Sequence, residues 1–137
     1  MANNIRQVMT PSPETVEADK TAAEAAKLMK KVDAGMIPVV QNQKLVGTVT
    51  DRDIAIRVVA EGKDPLATTV AEIASKDVVT IGPDRDIAEA LGLMASNQIR
   101  RLPVVEGGTL VGVIAQADVA RAGDERQVGQ TVEQISR

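Results

Sequence analysis

The sequence predicts a mixed α/β (α+β) fold built from two β-α-β-β-α repeats related by a pseudo-twofold axis. Three observations carry this reading. The chain superposes on itself without gaps when slid by 65 positions, bringing Thr15 onto Thr80, Asp19 onto Asp84, Leu28-Met29 onto Leu93-Met94, and Asp53 onto Asp118. The same shift lays Pro38-Val39-Val40 on Pro103-Val104-Val105 and Leu45-Val46-Gly47 on Leu110-Val111-Gly112; between Thr15 and Ala55, 15 of 41 aligned positions are identical. Each copy then carries an apolar stripe at helical spacing, followed by two β-branched runs with a polar turn between them. Chance similarity does not hold one register through helix, loop and strand, and two repeats are too few for an open solenoid. The expected division is residues 1–65, residues 66–123 and a tail over 124–137.

Short strands are expected near Thr15-Val16 and over Val78–Ile81. Thr21-x-x-Glu24 is a capping box that starts a helix with Ala25, Leu28, Met29 and Val32 on one face. In the second copy Asp86 replaces the capping Thr, Glu89 is kept, and Ala90, Leu93 and Met94 follow. Ile37–Val40 and Leu45–Val49, joined by Gln41–Lys44, read as a hairpin; so do Leu102–Val105 and Leu110–Ile114, joined by Glu106–Thr109. Proline at the head of each first strand fits only a strand start or edge, because it has no N–H to donate. A second helix begins at Thr50–Asp53, runs through Ile54, Val58 and Val59, and stops at Gly62 before Lys63-Asp64-Pro65. In the tail, Val128, Val132 and Ile135 have the spacing of a short docking helix, against the alternative of a frayed terminus.

Composition narrows the chemistry. The chain has 137 residues, a formal net charge of −3, and no Cys, His, Phe, Tyr or Trp. Its 60 apolar residues are 19 Ala, 19 Val, 10 Ile, 7 Leu and 5 Met, so the core is aliphatic. Each buried Val, Leu, Ile or Met adds roughly 1.5–3 kcal/mol, whereas one aromatic ring would remove about 150–250 Å² from water; burial is expected to be completed in an oligomer. Imidazole bases, thiolate nucleophiles, Cys/His metal sites and disulfides are excluded. Without stacking rings or a basic stripe, nucleic acid is not an expected partner. No stretch approaches 18 uninterrupted apolar residues and Met1–Arg6 lacks a signal core, so no membrane association is expected and a cytoplasmic location is.

The ordered set Val8-Met9-Thr10, x-Pro-Val-Val, Leu-Val-Gly and Gly47-x-x-Thr50-x-x-Asp53, written twice, resembles the CBS domain family, in which two copies associate as a Bateman module. The resemblance covers about residues 5–123. Thr50–Ile54 and Gln98–Pro103, with no attached domain, look like the stand-alone bacterial CBS pairs, some associated with stress or hypoxic responses. It implies a regulatory, non-catalytic module that takes AMP, ADP, ATP or S-adenosylmethionine in a cleft between repeats, requires no cofactor, and acts as a homodimer through its helices on an unknown regulated protein.

Under that reading Asp53 and Asp118 would accept from the ribose hydroxyls. Thr50, Arg52, Arg100 and Arg101 would hold phosphate, and Val16, Met36, Ile37 and Pro38 would wall the base. Arg suits phosphate because its guanidinium is a planar fork of donors. Thr50 heads a helix, where N–H groups and the dipole favour anions. The bland reading stands beside it: Thr-x-x-Asp before an apolar helix is itself a capping box, and surface Arg residues are commonly solvated or salt-bridged. The second copy reads Gly112-x-x-Ala115-x-x-Asp118, keeping the acid but losing the hydroxyl, so it is the weaker site. The rival function is an interaction module of the same fold with no ligand. An enzyme ranks third, since no phosphate-cradling Gly-x-x-x-x-Gly-Lys-[Ser/Thr] loop is present.

Overall fold

A computed structural model of the protein describes residues 4–122, and the tail helix considered for 124–137 lies outside these described residues. In chain order, a 3₁₀ turn Ile5–Gln7 precedes β1 (Thr10–Pro11), β2 (Val16–Glu17), α1 (Ala22–Val32), β3 (Met36–Gln41) and β4 (Lys44–Thr50). There follow α2 (Asp51–Ile54), which continues as a π-helical turn Ala55–Val59, then α3 (Val70–Ile73), α4 (Ile87–Asn97), β5 (Arg101–Glu106), β6 (Thr109–Ala115) and α5 (Gln116–Ala122). The class is mixed α/β and each repeat supplies a helix, a hairpin and a helix, as the sequence predicts.

The chain folds into two compact units that cut across chain order: one is Glu14–Val78, and the other joins the residues up to Pro13 to those from Val79 onward. They differ from the sequence division 1–65 and 66–123, because each body is completed by the segment that leads into the other repeat. Val70 and Ile73 are fully buried in the Glu14–Val78 core with Val16, Ile37, Val39 and Val49. Ile5 is fully buried in the other core with Met94, Leu102, Val104 and Ile114. Both cores are aliphatic.

In the Glu14–Val78 unit β2 lies parallel to β3, with Val16 opposite Val39, and β3 pairs antiparallel with β4 from Met36↔Thr50 to Gln41↔Lys44. In the other unit β1 and β5 both pair antiparallel with β6. The hairpin turns are Asn42-Gln43 (φ 53° and 69°) and Gly107-Gly108 (φ 59° and 83°). Left-handed backbone at both central residues matches the twist of the flanking strands.

The glycine of each Leu-Val-Gly run has a steric cause. A Cβ at Gly47 would sit 2.7 Å from the Ser75 carbonyl oxygen, and one at Gly112 would sit 2.5 Å from Met9 Sδ and 2.9 Å from the Thr10 carbonyl oxygen. The lead-in backbone lies directly on the strand at these points: Thr48 and Ser75 exchange N–H···O bonds of 3.0 and 2.8 Å, and β1 pairs with β6 through Pro11↔Gly112.

Three local expectations are corrected. The strand expected over Val78–Ile81 is only one bridge, Ile81 to Val104. Its counterpart is longer because the Ala18 N–H donates to the Val40 carbonyl (2.9 Å), whereas Pro83 stands at the equivalent position with no N–H. At α4 the Asp86 side chain makes no capping bond, and Glu89 is drawn off by Arg85, whose Nε donates to Oε2 at 2.9 Å. That pairing holds the Glu89 carboxyl below the usual range. The second helix, expected to run to Gly62, ends at Val59, and its last turn is π-helical: the Ala60 N–H donates to the Ala55 carbonyl (2.9 Å), with Val58 buried and Val59 exposed.

Gly92 tests the other side of the glycine argument. It lies in the exposed middle of α4, where an added Cβ meets nothing within 4 Å. Gly92→Ala is expected to stabilise the protein by about 0.5–1 kcal/mol by removing backbone freedom from the unfolded chain. A urea midpoint that stays put or falls would contradict this.

Candidate functional site

Thr50 closes β4 and caps α2, and the cap is reciprocal: the Thr50 N–H donates to Asp53 Oδ2 (2.9 Å) and the Asp53 N–H donates to Thr50 Oγ1 (3.0 Å). This capping reading of Thr50-x-x-Asp53 is therefore satisfied in full. Asp53 keeps only 12% of its side chain exposed, and its second oxygen, Oδ1, makes no hydrogen bond among the described residues. Among the described residues Arg57 is its ion-pair partner, with Nε at 3.9 Å. Arg57 is itself anchored, since its Nη1 donates to the Ile73 carbonyl at 2.8 Å. A carboxylate offers about four lone-pair sites, so the cap leaves Asp53 capacity to accept more.

Around this corner the β3–β4 register sets Met36 opposite Thr50 and Ile37 opposite Val49, with Pro38 next along β3. Met36 is half-buried, whereas Val16, Ile37 and Pro38 are buried, Val16 and Ile37 as core members. Arg52 is exposed one turn position before Asp53, and its N–H donates to Asp51 Oδ1 (2.8 Å). The fold thus gathers Thr50, Arg52, Asp53, Met36, Ile37, Pro38 and Val16 in one compact unit.

Asp118, Arg100 and Arg101 belong to the other unit. There the Ala115 N–H donates to Asp118 Oδ2 (2.8 Å), but Oδ1 is taken by Arg121 Nη2 and the side chain is 8% exposed. Arg101 pairs with Ala115 as Met36 pairs with Thr50, and the Arg100 carbonyl accepts the Gln116 N–H at 2.8 Å. Both arginines are exposed. The Gln116 side-chain nitrogen is buried with no acceptor among the described residues. Sequence reading did not single out Arg57, Arg121 or Gln116; only the fold shows that two arginines attend the two aspartates at unlike spacings, i+4 and i+3.

The CBS domain family matches residues 5–60 and 70–125. The chain is 43% identical over 118 residues to the CBS domain-containing protein YhcV of Bacillus subtilis, spanning 86% of this chain and 84% of that one. It is 34% identical over 131 residues to Hypoxic response protein 1 of Mycobacterium tuberculosis, spanning 95% and 92%. A crystal structure of Hypoxic Response Protein I with two coordinated zinc ions superposes with a TM-score of 0.81 at 34% identity, covering 88% of this chain and 99% of that one. A hexameric CBS-CP12 protein from bloom-forming cyanobacteria gives a TM-score of 0.72 at 33% identity, covering 93% and 75%. With two family matches spaced as the internal repeat is spaced, and relatives similar over nearly their whole length, the chain belongs to the CBS domain family and is a tandem CBS pair.

Proposed function

We propose that this CBS pair is a regulatory, non-catalytic module that takes up an adenosine-containing nucleotide (AMP, ADP, ATP or S-adenosylmethionine) at the Thr50–Asp53 corner. The observation that carries the reading is the nearly buried Asp53 carboxylate, which has one oxygen spent on the helix cap and the other without a hydrogen bond among the described residues. A vicinal diol supplies the two donors such an oxygen lacks. Arg52, exposed beside it, is the phosphate candidate, and Met36 with the edges of Ile37, Pro38 and Val16 is the base wall. The Asp118 corner, where Arg100 and Arg101 would hold phosphate, ranks second because Arg121 already occupies the free oxygen and Ala115 offers no hydroxyl.

Zinc, present in the Hypoxic Response Protein I crystal, gains no support from this donor set. The chain has no His or Cys, and no group of three or more acidic residues that could hold a metal occurs among the described residues. Self-association does gain support: Ile56, Val59 and Leu66 are 49%, 69% and 71% exposed in a protein whose core is small and aliphatic. No helix among the described residues is long and apolar enough to cross a membrane.

The test is thermal unfolding followed by circular dichroism with each nucleotide, on wild type and Asp53→Asn. At a free concentration of about 100 Kd, one-site binding adds roughly 2.7 kcal/mol, raising Tm by on the order of 10 °C. Asn can still accept from the Thr50 N–H, so the cap survives, but its amide nitrogen then faces the ligand as a donor where an acceptor is needed. The expected result is an unchanged Tm without nucleotide and loss of the nucleotide-dependent rise. If no nucleotide moves the wild type, the ligand-free interaction module takes precedence. A rise that survives in Asp53→Asn would leave Asp53 a cap only.

A further inference from the structure

The two units share one backbone frame at their lead-in segments but fill it differently. In one, the Ile5 N–H donates to the Arg85 carbonyl (3.1 Å) and the Arg6 N–H to the Pro83 carbonyl (2.8 Å). In the other, the Val70 N–H donates to the Lys20 carbonyl (2.7 Å) and the Ala71 N–H to the Ala18 carbonyl (3.0 Å). Every partner is displaced by the same 65 positions, so Ala71 stands where Arg6 stands. From that position the Arg6 side chain crosses the frame, donating from Nε to Asp84 Oδ1 (3.3 Å) and from Nη2 to Glu106 Oε2 (2.8 Å). Its guanidinium is held above its ordinary pKa by the hydrogen bonds to Asp84 and Glu106.

Ala71 ends at Cβ. Ala71 lines an open pocket of about 750 Å³ together with Glu17, Ala18, Asp19, Lys20, Gln41, Asn42 and Thr69, so the counterparts of all three residues of the Arg6 ion-pair group border it. Asp19 is the counterpart of Asp84 and Gln41 of Glu106, while Glu17, opposite Gly82, restores the second carboxylate. Neither Glu17 nor Asp19 has a side-chain hydrogen bond or ion pair among the described residues, so two carboxylates and an amide oxygen are available as acceptors against one Lys20.

We propose that this pocket is a guanidinium-binding site, taking either a free arginine-like small molecule or the arginine side chain of a partner chain in the position that Arg6 takes internally in the sister unit. The planar fork of N–H donors matches a carboxylate flanked by a second acid and an amide carbonyl. The site is separate from the Thr50–Asp53 corner: Gln41 ends β3 at the opposite end from Met36, and no residue is shared. The inference is independent of the nucleotide reading.

Amide chemical shifts of the full chain test it, with L-arginine, L-citrulline and a blocked Gly-Arg-Gly tripeptide as probes. L-arginine or the tripeptide is expected to move the amides of Ala18–Lys20, Gln41, Asn42 and Ala71 along a saturable curve. L-citrulline, isosteric but uncharged, is expected to bind at least tenfold more weakly, as is L-arginine to Asp19→Asn. Ala71→Arg supplies the guanidinium from within and is expected to abolish the response while leaving the remaining spectrum folded. Tighter binding of the tripeptide upholds the site for a partner's arginine, and tighter binding of free L-arginine upholds it for a small molecule. The proposal falls if neither probe moves these amides, if L-citrulline moves them equally, or if a folded Ala71→Arg binds as wild type does.

Discussion

A fragment of residues 14–78 is expected to be markedly more stable than one of residues 1–65, although the second follows the repeat boundary. Cutting at residue 65 removes Val70 and Ile73, both fully buried in the core that the fragment needs. At roughly 1.5–3 kcal/mol each, the two side chains are worth about 3–6 kcal/mol. A native domain typically has only about 5–15 kcal/mol in total, and bodies of this size bury a smaller share of their surface than larger ones do. The cut also removes the Thr48–Ser75 exchange of hydrogen bonds and the Ile73 carbonyl that anchors Arg57. Residues 1–65 meanwhile retain Ile5, whose buried environment belongs to the other unit. Urea unfolding followed by circular dichroism compares the two; cooperative unfolding of residues 1–65 at an equal or higher midpoint would mean that the lead-in segments are dispensable.

Gly47→Ala is the single substitution expected to do most damage for its size. The new methyl group would lie 2.7 Å from the Ser75 carbonyl oxygen, which accepts the Thr48 N–H while the Ser75 N–H donates back to the Thr48 carbonyl. A backbone atom in a ladder cannot rotate aside, so relief requires moving the lead-in segment with Val70 and Ile73 attached. Overpacking of this kind costs about 1–3 kcal/mol. Gly112→Ala is expected to behave similarly, since the Thr10 carbonyl oxygen stands 2.9 Å from its Cβ even if Met9 swings away. Gly35→Ala is the control: its closest neighbour, Asp51 Oδ2 at 3.1 Å, is the end of an exposed side chain that can turn. Equal melting temperatures for Gly47→Ala and Gly35→Ala would show that the close approach carries no energetic weight.

Periodicity and self-similarity made the helices, the hairpins and the duplication legible, because these depend on residues close in sequence. The capping box at Thr21 and Glu24 forms as written. The box at Asp86 and Glu89 does not, because Arg85 competes for Glu89, and which of two neighbouring partners a carboxylate takes depends on three-dimensional reach. At the candidate site the sequence located Thr50 and Asp53. It could not say that the cap would use one carboxylate oxygen and spare the other, or that Arg121 would close the equivalent oxygen of Asp118.

What the linear pattern fixed, then, is the repeated unit and the acid at the head of its second helix. The exchange of lead-in segments was decided only in three dimensions. Upstream of Thr15 the register continues with pairs such as Ile5 and Val70, Gln7 and Glu72, Val8 and Ile73, and Thr10 and Ser75, all similar and none identical. An identity count passes over them. Their burial arises from contacts with strands dozens of residues away, and local spacing carries no signal of which distant backbone a glycine such as Gly47 leaves room for.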